Sequence, residues 1–74
     1  MNKERRKKIA NVISKLEDLN NEIDSIREEE QDTFDSIPEN LQESENGQLM
    51  QEAIENLENA FSDVESALES LNEI

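Results

Sequence analysis

Apolar residues recur along this chain in steps of three and four, the spacing that lines one side of an α-helix. In the first half, Ile9, Val12, Leu16, Leu19, Ile23 and Ile26 follow one another at 3, 4, 3, 4 and 3 residues. That is a heptad seam, with Ile9, Leu16 and Ile23 at position a and Val12, Leu19 and Ile26 at position d. Ile13 adds one e position. The seam fades after Ile26, because the next a and d positions hold Glu30 and Thr33. Phe34 and Ile37 restore bulk just before Pro38, and a proline disfavours helical geometry in the residue ahead of it. The pattern therefore predicts a first helix over about 3–35.

A connection over 36–43 follows, within the stretch DSIPENLQESENG. Pro38 suits the opening of a short helical turn through Gln42, where its missing N–H is no loss. Ser44 is the best N-cap for a second helix, with Glu45 near the positive end of its dipole. Gly47, inside the first turn, reads as a local weakness of about 1 kcal/mol. Phe34, Ile37 and Leu41 are expected to fold over the hairpin tip.

The second helix is predicted over about 44–74. Its large residues Met50, Ile54, Leu57, Phe61, Val64, Leu68 and Leu71 alternate steps of 4 and 3. With Ile54, Phe61 and Leu68 at a, the alanines 53, 60 and 67 all fall at g, directly beside the seam. A small side chain every seventh residue lets another helix approach closely. It also widens the apolar stripe to three positions in seven, the width of a helix in a bundle. The expected packing and oligomer interface is Ala53, Ile54, Leu57, Ala60, Phe61, Val64, Ala67, Leu68 and Leu71.

Two predicted helices of ~33 and ~30 residues would each run roughly 45–50 Å at 1.5 Å per residue. Matched lengths and a short connection imply a single all-α domain, residues 1–74. Its expected architecture is an antiparallel, coiled-coil-like two-helix hairpin with a short helical turn at the connection. One neighbour leaves part of the wide second stripe wet, so a homodimeric four-helix bundle is the expected assembly.

Composition sharpens this picture. Seventy-four residues bury a modest core worth only ~3–5 kcal/mol without a staple. There is no cysteine and no histidine, so neither disulfides nor a zinc site is available. Long helices and self-association must supply the stability. Lack of cysteine fits a reducing compartment. The net charge of −13 is lopsided: residues 1–15 carry +5 and residues 16–74 carry −18. Such a body repels nucleic acid and anionic lipid. No apolar run is long enough to span a membrane, and the basic start lacks the apolar core of a signal peptide. The expected location is the cytoplasm.

Catalysis finds no support. Without His, Cys or Tyr, the serine and threonine hydroxyls have no activating base, and the carboxylates lie on exposed helix faces. No cofactor or metal site is expected, and no EF-hand loop is present. The densest acidic run is Glu28, Glu29, Glu30, Asp32 and Asp35, with Phe34 and Ile37 as apolar anchors nearby. Glu30 stands at a core position, and negative charge near a helix C-terminus opposes the macrodipole. These seven residues are the candidate partner-binding site, facing something cationic. The basic head, KERRKK at 3–8, has a structural explanation: in an antiparallel hairpin it lies beside Glu65, Glu69, Glu73 and the terminal carboxylate. Exposed pairs of that kind add only ~0.2–1 kcal/mol each, yet favour the antiparallel alignment.

The segments MNKERRKKI, EEEQDTFDSIPENLQESENGQLM and AIENLENAF resemble a group of small acidic helical proteins of unassigned function, encoded by temperate phages and prophages of Gram-positive bacteria. The resemblance spans nearly the whole chain, and its central segment is the most specific part. It implies an accessory protein in the cytoplasm of a bacterial host cell that binds and inhibits a host protein, above all an anti-phage defence factor. The lack of catalytic groups makes that role non-enzymatic, and the acidic body predicts a target with a basic surface. Two other roles fit the same residues: a DNA mimic that occupies a nucleic-acid-binding protein, and a coiled-coil scaffold for phage assembly.

Overall fold

The computed structural model describes every residue from Met1 to Ile74. Two long helices, α1 (Lys3–Ser36) and α2 (Glu45–Asn72), are joined by a 3-10 turn at Glu39–Leu41. They pack side by side along a rod of 58 × 15 × 13 Å. There are no strands, and 88% of residues are helical. Neither helix is long and apolar enough to cross a membrane.

Local chemistry sets the ends of each helix. The Asn2 side chain accepts the Arg5 N–H at 2.8 Å, so α1 begins at Lys3. Its other end comes at Ile37, whose backbone is extended (φ −80, ψ 146) because Pro38 follows. The Thr33 and Ser36 hydroxyls donate to the carbonyls of Glu29 and Asp32. Ser44 caps α2, its hydroxyl oxygen accepting the Gly47 N–H at 3.2 Å. Across the bend, the Gln42 side-chain amide donates to the carbonyls of Phe34 and Ile37 at 3.4 and 3.3 Å. Gln51 in turn donates to the Gln42 carbonyl at 3.3 Å.

Gly47 corrects the sequence reading. It is buried, and a Cβ there would collide with the Gln42 carbonyl oxygen and stand 2.9 Å from that of Leu41. The residue is no weak point: it lets the turn press directly against the first turn of α2.

The larger correction concerns the phase of α1. In α2 the residues turned inward are those at a and d, from Met50 to Leu71, with Ala53 and Ala60 half-buried at the flank and Ala67 exposed. In α1 the inward residues are Ile9, Ile13, Leu16, Asn20, Ile23, Arg27, Glu30 and Phe34. They follow one another in steps of 4 and 3, so the α1 seam uses a and e rather than a and d. The expected d column is left out: Val12, Leu19 and Ile26 are 46%, 54% and 52% exposed.

Burial along the seam is shallow. Ile54, 7% exposed, is the one buried apolar side chain, and most of its neighbours stop halfway. Asn20, only 4% exposed, donates its amide to the Phe61 carbonyl at 3.3 Å while its own Oδ1 has no partner. That bond aligns α1 against α2, since sliding either helix by a turn would strand a buried amide. At the open end, Arg6 donates to the terminal oxygen of Ile74 at 3.2 Å. The expected ion pairs from the basic head to Glu65, Glu69 and Glu73 are not made. Long exposed side chains gain too little there to give up their freedom.

Candidate functional site

The hairpin has two charge regimes, separated at the level of the Asn20–Phe61 bond. The open half, residues 1–19 and 62–74, carries six cations and seven acids, a net −1. The loop half, residues 20–61, carries Arg27 against thirteen acids, a net −12. Arg27 is itself engaged: its guanidinium meets Asp24 at 3.0 Å and Glu28 at 3.8 Å, the two ion pairs of the molecule. The Asp24 hydrogen bond holds the guanidinium proton more firmly than usual, against partial desolvation, and Glu58 on α2 adds to that hold.

Within this half, the C-terminal turns of α1 display the acidic run. Glu28, Glu29, Asp32 and Asp35 are exposed, while Glu30 is half-buried at the edge of the seam. Asp35 accepts from the Gln31 amide at 3.0 Å. No basic residue lies in the last turn of α1, so these acids sit at the negative pole of the dipole uncompensated. Phe34 and Ile37 are half-buried against the bend rather than freely displayed. Exposed apolar surface near the tip comes instead from Leu41 and Leu49, the latter 58% exposed. The acids do not converge: no group of three or more could hold a metal ion.

No known protein family, curated protein or solved structure matches this chain. Its site must therefore be judged on its own geometry.

Two sides of the rod differ in kind. On one side, e positions of both helices meet, and an open groove is lined by Gln31, Phe34, Gln42, Gln51, Ile54 and Glu58. Arg27, which feels Glu58 across the helices, marks the same side. The d column of α1 and the g column of α2 therefore lie on the opposite side. There Val12, Leu19 and Ile26 run beside Ala53, Ala60 and Ala67, with Leu49 and Ile74 near the ends of the alanine column.

Sequence reasoning assigned Val12, Leu19 and Ile26 to the hairpin seam and so missed them as surface. One signal could have found them. Ile13 and Phe34 stand at e, off the a/d seam, and steps of 4 and 3 from Ile9 through 13, 16, 20, 23, 27, 30 and 34 join them, with polar residues at 20, 27 and 30.

Proposed function

We propose that this chain is a non-enzymatic, phage-type accessory protein that binds and inhibits a host protein, a bacterial defence factor, through its acidic loop half. The observation that carries the reading is the net −12 gathered in one half of the rod, with its single cation already engaged. Self-repulsion of that size is tolerated most readily where a cationic surface relieves it. The N-capped, clasped bend keeps the acids in fixed relative positions, so little order need be imposed on binding. The phage assignment rests on the resemblance of the central segment. Pairing of two hairpins into a homodimeric four-helix bundle belongs to the same reading.

The experiment is capture from bacterial lysate with the tagged protein. Replacing Glu28, Glu29, Glu30, Asp32 and Asp35 by alanine should abolish capture of a specific protein while helicity by circular dichroism persists. Capture by the wild type should also fail in 1 M salt, where the screening length drops to about 3 Å. Capture that survives both changes would remove the assignment.

A second reading has its own observation. Twelve net charges over about half of 58 Å is roughly one per 2.4 Å, against about 1.7 Å in duplex DNA. Displacement of the captured protein by duplex DNA would identify the chain as a DNA mimic. Recovery of other phage proteins, rather than a host protein, would instead mark an assembly scaffold.

A further inference from the structure

We propose that the face carrying Val12, Leu19 and Ile26 beside Ala53, Ala60 and Ala67 is where a second copy of this chain packs, head to tail, across a two-fold axis near Leu19. This deepens the pairing named above, and of the acidic run assigned to the host target it uses Glu29 alone.

The first argument is the choice α1 makes. Its d column reads Val12, Leu19, Ile26 and Thr33, and its e column reads Ile13, Asn20, Arg27 and Phe34. A hairpin acting alone would gain more by burying the first set than by burying an amide and a guanidinium. It turns the second inward, with Asn20 buried and Ile13, Arg27 and Phe34 half-buried, and leaves the more apolar column outside. A helix that lends a and e to one neighbour and d to another has the three-position stripe of a bundle helix. The column thus lacks a partner that the hairpin itself cannot supply.

The second argument is area. A face of 58 × 15 Å offers about 870 Å² per hairpin, where stable interfaces bury about 800 Å² per partner.

The third argument is charge, and it selects the occupant and its direction. Flanking the d column on α1, the g positions hold Lys8, Lys15, Glu22 and Glu29. Antiparallel pairing of α1 with its copy about Leu19 sets Val12 against the partner's Ile26. It also sets Lys8 against the partner's Glu29, and Lys15 against the partner's Glu22. All four g positions then meet opposite charge. On α2, Ala60 falls near its own copy, and Ala53 faces the partner's Ala67. Leu19 and Ala60 are each one residue from the Asn20–Phe61 bond, so one axis serves both columns. Head-to-tail stacking also lays each −12 half along a −1 half, whereas stacking the bends together would lay −12 along −12.

Sedimentation equilibrium and chemical cross-linking test this on the intact chain. The wild type should sediment at twice its 8.5 kDa mass. Leu19→Glu should sediment as a helical monomer. Lys8→Glu with Lys15→Glu should raise the dimer dissociation constant at least tenfold, and adding Glu22→Lys with Glu29→Lys should restore it. In this cysteine-free chain, Leu19→Cys should be joined by a short bis-maleimide, while Val12→Cys, far from its own copy, should not. A wild type monomeric at millimolar concentration, or a dimer indifferent to Leu19→Glu, overturns the proposal. So does a charge reversal that the second pair of changes does not rescue, or efficient joining through Val12→Cys. A Leu19→Glu monomer that still captures a basic partner shows that the two proposals stand or fall separately.

Discussion

The two helices obey the same seven-residue period and spend it differently. In α2, the inward positions from Met50 to Leu71 are apolar throughout, with the alanine column at their edge. In α1, the inward positions mix Ile9, Ile13, Leu16 and Ile23 with Asn20, Arg27 and Glu30, and a full apolar column stays outside. One helix is built to be covered along a single side. The other divides its apolar residues between two sides and accepts polar groups at the junction. A repeat length therefore says that helices associate, but phase says with how many neighbours.

The difference can be broken first where α2 is strongest. Ile54→Ala should cost about 2–5 kcal/mol, and Ile23→Ala, half-buried in α1, roughly half as much. Urea unfolding followed by circular dichroism measures both, and equal losses would show that the two inward faces contribute alike. Next in size is Gly47→Ala. Helix propensity alone would stabilise by about 1 kcal/mol. The collision of the new methyl with the Gln42 carbonyl should instead destabilise by about 1–3 kcal/mol. A raised melting temperature would refute that close approach. The smallest effect sharpens the contrast by making α1 resemble α2. Asn20→Leu should stabilise by about 1 kcal/mol, a rise of roughly 4–8 °C in Tm. It should also broaden amide NMR lines, because the one polar tie that aligns the helices is gone.

Much of the fold was legible because helices and bends have local signatures. The 3–4 spacing, Pro38 after Ile37, and Ser44 three residues before Gly47 each act within a turn of chain, and together they specify a helical hairpin. The phase of α1 was not legible by the same means. Ile26 ends an a/d run that looks complete, and only Ile13 and Phe34, separated by the polar Asn20 and Arg27 in their own column, report the a/e alternative. Gly47 was misread for a related reason: its role depends on the Gln42 carbonyl, placed by a turn whose path no propensity records. The acidic run at Glu28–Asp35 was visible as charge. The half-burial of Glu30, Phe34 and Ile37 needed the second helix to be in place. The loop-half surplus emerged only when the hairpin brought residues 20 and 61 to one level.

The bend itself has a further consequence. Hairpin tips rich in small and polar residues are ordinarily where proteases enter, because several residues there can be drawn out straight. In this molecule Gln42 is fastened to Phe34, Ile37 and Gln51, and Ser44 to Gly47. The turn thus offers a protease little slack to grip. A chain this short, with so thin an interior, would owe its lifetime in a cell as much to that fastening as to its packing.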